Sequence, residues 1–208
     1  MSEAAHSSPV SILSKHRVEA LSDGVFAVVM TLLVLEIKPE MEPGAGNEAV
    51  LHLLKALAVP VITFAIAFLI SGVFWSLHHL KFALLRHTNP LHTALTLLFL
   101  FMVTLLPISI SVYLHAKSSS LARAVYFGNF TLIALTLLVS WLYALRAGLV
   151  DEAQPAATTS KLTLRISAMT AIGTIATVSY FLEVPYFFFL AIPVVFYIRF
   201  KNKPPVAT

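Results

Sequence analysis

The chain has 208 residues, of which 58% are hydrophobic and only 12% are charged, with a mean hydropathy of +0.86. Soluble domains usually carry about 25% charged residues, so this composition disfavours a disordered chain, a nucleic-acid-binding domain or an ordinary cytosolic enzyme. The net charge of +4 does not change this, because Lys and Arg lie between long apolar stretches. Since the chain contains no Cys, disulfides, thiolate metal sites and cysteine nucleophiles are excluded. We expect a polytopic membrane protein.

Six apolar segments are long enough to cross a membrane, because a helix needs about 20 residues to span a hydrocarbon core of about 30 Å. They are predicted at residues 18–37, 50–77, 91–114, 121–145, 162–182 and 184–200. Backbone polar groups in lipid must be satisfied within each segment. The predicted fold class is therefore all-α, a polytopic membrane helix bundle with six transmembrane helices per subunit. Residues 1–12 are predicted to be a cytoplasmic lead-in, residues 13–202 the six-helix domain, and residues 203–208 a C-terminal tail.

The basic residues predict the orientation of the chain, because cytoplasmic loops are enriched in Lys and Arg. With the N-terminus inside, the outer segments hold only Lys38, Lys55, Lys117 and Arg123. The inner segments hold the other ten: Lys15, Arg17, Lys81, Arg86, Arg146, Lys161, Arg165, Arg199, Lys201 and Lys203. The first outer loop is also acidic, with Glu36, Glu40, Glu42 and Glu48. Both termini are therefore predicted to be cytoplasmic.

Sequence signatures of enzymes and metal sites are weak or absent. The chain has no glycine-rich phosphate loop, metalloprotease motif or nucleophile elbow. His78 and His79, with His87 and His92 nearby, suggest a zinc site at first sight. Adjacent helical residues point about 100° apart, however, and helical metal ligands favour i, i+4 spacing. We therefore expect no metal, no cofactor and no enzymatic activity.

Asp23 lies inside the first predicted span, where an ionisable group is costly and normally has a partner. One interpretation is a capping or snorkelling acid at the start of the helix. The other is a buried polar network in which Asp23 is joined by Arg17, Ser22 and a histidine of the second span.

Beyond Asp23, Val28, Leu32 and Leu35 share one helix face, and Thr31 lies beside them. Periodicity alone does not distinguish a pore from a surface that faces lipid or the protein core.

Several polar and proline residues predict local structure in the later spans. Asn89-Pro90 is expected to cap the third span, and Pro107 to kink it. Asn129 and Ser140 are expected to form hydrogen bonds between helices. Residues 151–160, rich in Ala, Thr and Pro, are predicted to be a surface linker.

The first span resembles a known family. The transmembrane-protein-175 family of potassium channels carries Arg-x-x-x-Phe-Ser-Asp at the start of its first helix, and residues 17–23 match this motif except that Leu21 replaces Phe. The segments 24–27 and 31–37 are also similar to the family, as is the end of the second span with Trp75, His78 and His79. Six spans without an internal repeat resemble the bacterial members.

The resemblance implies a homotetramer in which the first helices line a central pore formed by oligomerisation. It places pore or gate positions at Val28, Leu32 and Leu35 and assigns potassium selectivity to Thr31. It also implies a polar network that braces the cytoplasmic entrance of the pore: Arg17, Ser22, Asp23, Trp75, His78 and His79. No Thr-Val-Gly-Tyr-Gly filter exists in the chain.

The resemblance thus predicts passive potassium flux across a bacterial inner membrane, with potassium as the permeant ion. The expected partners are other copies of the chain, the lipid bilayer and monovalent cations, but no nucleic acid. The main alternative is a secondary or proton-coupled ion transporter, and a purely structural protein is a third possibility. Transporters often have repeats and charged residues at the bilayer midplane, and the predicted spans show neither.

Overall fold

The computed structural model describes residues 14–39 and 46–184, and nearly all of these residues are helical. The helices are α1 (Lys15–Leu32), α2 (Asn47–Leu84), α3 (Pro90–Thr104), α4 (Leu106–His115), α5 (Ser120–Arg146) and α6 (Ala156–Phe181), and a 3₁₀ turn over Leu33–Glu36 extends α1. Five helical segments are long and apolar enough to cross a membrane, with α3 and α4 together forming one. The all-α class is confirmed for the described residues. The lead-in at residues 1–12, Glu40 and Glu42, the tail, and the sixth predicted span apart from Val184 lie outside them.

The third span is interrupted between α3 and α4, which confirms the predicted kink. Pro107 lies in the first turn of α4 and has no N–H to donate to the carbonyl of Val103. The N–H of Leu105 instead bonds the Met102 carbonyl at 3.3 Å, and a separate helix begins at Leu106. The predicted cap at the other end is confirmed, because Asn89 Oδ1 accepts a hydrogen bond from the N–H of His92 at 2.8 Å.

Helices α5 and α6 form an antiparallel hairpin held by hydroxyl and indole contacts. Trp141 Nε1 donates to Thr163 Oγ1 at 2.8 Å, and Thr131 Oγ1 lies 2.9 Å from Thr177 Oγ1. Helix α3 packs on α5, and α1 packs against α2 and α3. The buried core therefore lies among α1, α2, α3 and α5, with large side chains contributed by Phe26, Phe74, Phe99, Leu137 and Trp141.

Two predicted boundaries were wrong. Helix α2 continues beyond residue 77 to Leu84 and carries Lys81 into the bundle, where it is fully buried. Lys81 follows His78 by three residues, and both lie on the buried face of the same helix. Helix α6 begins at Ala156 rather than residue 162, because Lys161 lies on an exposed face where a charge does not end a helix.

Candidate functional site

Helix α1 has one buried face and one exposed face. The buried side chains recur every three or four residues, which is the helical period, at Val18, Ser22, Phe26, Val29 and Leu33. The opposite face is open and is mostly apolar. We call it the α1 stripe, and its members are Leu21, Gly24, Val28, Thr31, Leu32 and Leu35.

The aliphatic side chains of the α1 stripe are exposed. Val28 is 56% exposed, Leu32 41% and Leu35 64%. Leu35 belongs to the 3₁₀ turn, and residues three apart in a 3₁₀ helix lie above one another. Leu35 therefore lies approximately in line with Leu32. A groove of about 470 Å³ follows this surface, and its lining includes Leu21, Gly24, Val28, Leu32 and Thr104 of α3.

Thr31 places a hydroxyl on the exposed stripe. Its Oγ1 lies 2.7 Å from the carbonyl oxygen of Val28 and 3.1 Å from that of Ala27, and it donates its hydrogen to this pair. Among the described residues no donor approaches Thr31 Oγ1 within hydrogen-bonding distance. The oxygen therefore presents unused lone pairs on the exposed side of α1.

Asp23 and Glu19 connect α1 to α2 beside this stripe. Trp75 Nε1 donates to Asp23 Oδ1 at 2.8 Å. The Trp75 ring stacks on the ring of His79 with centroids 5.8 Å apart, and His79 Nδ1 lies 3.4 Å from Glu19 Oε1. Glu19 was not singled out by the sequence motif. Its position four residues before Asp23, one helical turn away, is the signal that could have identified it.

His78 and Ser22 form a separate contact inside the bundle. His78 Nε2 lies 3.5 Å from Ser22 Oγ, which also donates to the carbonyl of Val18 at 2.8 Å. The His78 ring is buried and stacks on Phe99 with centroids 5.1 Å apart. The two histidines thus contact α1 about one turn apart, His78 at the buried Ser22 and His79 at the partly exposed Glu19. Arg17 is exposed, and within the described part of the chain its side chain makes no hydrogen bond or ion pair.

Lys81 is a buried ionisable residue that the motif did not include. Its Nζ donates to Ser140 Oγ of α5 at 2.9 Å, lies 3.5 Å from Thr96 Oγ1 of α3, and is 4.9 Å from the centroid of the Phe82 ring. Across residues 14–39 and 46–184, no carboxylate lies within ion-pair distance of this ammonium. Lys81 therefore ties the end of α2 to α3 and α5 through hydroxyls. Ser140 thus forms the expected interhelical bond, and Asn129 does so by accepting from Ser109 at 3.1 Å.

Three comparisons with known proteins point to one family. A family model described as "Endosomal/lysosomal potassium channel TMEM175" matches residues 17–107. A crystal structure of a lysosomal potassium-selective channel TMEM175 homolog from Chamaesiphon minutus superposes with a TM-score of 0.64, at 28% identity, over 88% of this chain and 97% of that chain. The chain is therefore similar to the TMEM175 family over residues 17–107 and in its fold.

Two bacterial relatives are also similar to this chain. A potassium channel of Streptomyces collinus is 34% identical over 136 residues, which is 64% of this chain and 65% of the relative. A potassium channel of Chamaesiphon minutus is 34% identical over 134 residues, which is 63% of this chain and 66% of the relative. The matched segments thus span just under two thirds of each relative's length.

The family match covers the helices that build the candidate site. Residues 17–107 contain the α1 stripe, Asp23, and the α2 segment with Trp75, His78 and His79. The description of the matched family names a potassium channel. In the described residues of this chain, no group of three or more His, Asp or Glu side chains could hold a metal ion.

Proposed function

We propose that this chain is a passive, potassium-permeable channel whose subunits assemble as a homotetramer around α1. The observation that carries this proposal is the α1 stripe, an exposed aliphatic face with an outward hydroxyl oxygen at Thr31. The names of the bacterial relatives, which are potassium channels, support the same activity.

The α1 stripe suits a pore lining because its aliphatic side chains and its threonine hydroxyl have different effects on a cation. Rings of Val28, Leu32 and Leu35 would form apolar constrictions, which close a pore by steric block and loss of water. The Thr31 ring would offer oxygen lone pairs that replace part of the hydration shell of potassium. Selectivity would then come from side chains and not from backbone carbonyls.

The contacts between α1 and α2 would hold the pore helix in position. The Trp75–Asp23, His79–Glu19 and His78–Ser22 contacts all join α1 to α2 near the start of α1. A helix held by several side-chain contacts to one neighbour has less freedom to rotate about its own axis. The polar network would therefore keep Thr31 directed toward the axis of the tetramer.

The excess of basic residues at the end where α1 begins favours a cytoplasmic location for that end. In the described residues this end carries Lys15, Arg17, Arg86, Arg146, Lys161 and Arg165, whereas Lys38, Lys55, Lys117 and Arg123 lie toward the opposite end. We therefore place the chain in a bacterial inner membrane with both termini in the cytoplasm.

Flux through purified protein in liposomes tests the proposal against the transporter alternative. A channel conducts potassium down its gradient without a counter-ion, so valinomycin-independent potassium release should follow the imposed voltage. Liposomes without protein provide the background rate. Strict stoichiometric exchange with another ion would instead establish a transporter, and a rate equal to the background would favour a structural role.

A further inference from the structure

Two basic side chains of α6 lie together near the end of the bundle where α1 begins. Lys161 and Arg165 are four residues apart, which places them one turn apart on the same side of the helix. Both side chains are exposed, and the sequence of α6 contains no Asp or Glu. Within the described ranges neither one belongs to an ion pair. The pair is therefore a local concentration of positive charge with no carboxylate in ion-pair contact.

The position of this pair along α6 brings it just below the lipid headgroups. Helix α6 has 26 residues and is therefore about 39 Å long, compared with about 30 Å for the hydrocarbon core. If the helix is centred in the membrane, Lys161 lies about 3 Å and Arg165 about 9 Å inside the edge of the core. A charge at such a depth is costly unless its side chain reaches the interface.

The direction of the side chains makes that reach possible. In a helix each Cα–Cβ bond tilts toward the N-terminus, and the N-terminus of α6 lies at the nearer membrane surface. Both side chains therefore extend toward the same headgroup layer. Arg offers a planar fork that binds phosphate through two hydrogen bonds, and Lys adds a compact point charge.

The packing of α6 separates this pair from the proposed pore. Helix α6 packs on α5 and touches α2, whereas α1 packs against α2, α3 and α4. The Trp141–Thr163 hydrogen bond further attaches the inner side of α6 to α5. A phosphate bound at Lys161 and Arg165 would therefore belong to the bilayer around the bundle and not to the ion pathway.

We propose that Lys161 and Arg165 form a binding site for the phosphate of an anionic phospholipid. Two cations without an acidic neighbour favour a lipid with net negative charge over a zwitterionic one, because basic side chains at the membrane surface attract anionic headgroups.

Native mass spectrometry of the purified protein with phosphatidylglycerol tests this site. For the Lys161→Gln/Arg165→Gln double variant we expect about 30-fold weaker binding, equivalent to about 2 kcal/mol for two basic residues. The Lys55→Gln/Lys117→Gln variant is the matched control, because it removes two exposed lysines elsewhere, and its affinity should be unchanged. Circular dichroism checks that both variants are folded.

Three outcomes would overturn the proposal. Equal weakening in both double variants would show attraction by net charge without a site. Equal binding of phosphatidylcholine would remove the preference for an anionic headgroup, and displacement of the lipid by millimolar inorganic phosphate would indicate a site for free phosphate. Because the measurement does not involve ion flux, its failure would leave the proposed channel activity untouched.

Discussion

At the scale of single residues, the hydroxyl of Thr31 is the group whose removal tests the proposed selectivity. Thr31→Val keeps the shape of the side chain but removes its oxygen. We expect conduction to persist while the preference for potassium over sodium falls a few-fold, because one ring of oxygens no longer replaces water around the ion. Reversal potentials in mixed potassium and sodium gradients measure this preference.

Thr174→Val is the matched control for that experiment. Thr174 is also exposed and also donates to its own helix, to the Thr170 carbonyl at 2.8 Å, but it lies on α6. An unchanged reversal potential for Thr31→Val would remove Thr31 from the selectivity site. An equal shift of the reversal potential for Thr174→Val would also remove Thr31 from the selectivity site, because the effect would then not depend on the position of the hydroxyl.

The contributions of Lys81 and Ser140 to the free energy of unfolding should be coupled. Ser140→Ala removes the closest partner of a fully buried ammonium, and an unsatisfied buried group costs about 1–3 kcal/mol. Lys81→Met keeps most of the volume and removes the charge, a change that is often neutral or stabilising. The Lys81→Met/Ser140→Ala double variant should therefore unfold at a higher temperature than Ser140→Ala alone. Thermal unfolding of all four proteins in detergent provides the double-mutant cycle, and additive losses would contradict the coupling.

At the scale of helices, the α5–α6 hairpin depends on a close approach at Gly173. A Cβ at this position would lie 2.8 Å from Thr131 Oγ1 and 3.3 Å from Thr131 Cα. Gly173→Ala should lower the unfolding temperature, because overpacking costs about 1–3 kcal/mol and the gain in helix propensity is only about 1 kcal/mol.

Gly128→Ala is the control on the same interface. There the nearest atom to a new Cβ is Thr177 Cγ2 at 3.6 Å, which is an ordinary contact. Its unfolding temperature should be unchanged or higher. If the two variants had the same stability, the close approach at Gly173 would contribute nothing.

Local signals predicted much of the helical structure, and tertiary contacts explain where the predictions failed. The break at Pro107 and the cap at Asn89 follow from the chemistry of one or two residues, and both were predictable. The end of α2 was not predictable, because a Lys that follows a long apolar segment is typical of a membrane boundary. The side chain that accepts the hydrogen bond of Lys81, Ser140, lies on another helix. A partner 59 positions away leaves no signal in the hydropathy of the segment.

At the scale of the whole molecule, assembly through α1 can be tested by cross-linking. The chain contains no Cys, so each introduced thiol is unique. Val28→Cys should form a disulfide-linked dimer under mild oxidation, because equivalent residues around a narrow axis approach within the roughly 4–7 Å between Cα atoms that a disulfide requires. Non-reducing gel electrophoresis detects the product.

Val139→Cys provides the comparison, since Val139 is also exposed, at 44%, but lies on α5. It should remain monomeric under the same oxidation. Equal cross-linking of the two variants, or a product with Val139→Cys only, would contradict a tetramer axis at α1.

The proposed pore lining was the part of the molecule that periodicity could not predict. An aliphatic face on a membrane helix is equally compatible with lipid and with another subunit, because lipid tails are as apolar as Leu. The motif at residues 17–23 resembles that of the TMEM175 family, and this resemblance predicted that the α1 stripe lines a pore. The structure adds that Val28, Thr31, Leu32 and Leu35 are exposed on the side of α1 opposite the core.

The bond that Thr31 makes to its own helix has a consequence for the sign of the permeant charge. Since the hydroxyl hydrogen is already committed to the carbonyls of Ala27 and Val28, a chloride ion that entered the constriction would meet oxygen lone pairs and aliphatic carbons. Halides need N–H or O–H donors to compensate for lost water, and the ring would provide none. Rejection of anions would therefore follow from ordinary helix geometry, without any fixed negative charge inside the narrow part of the pathway.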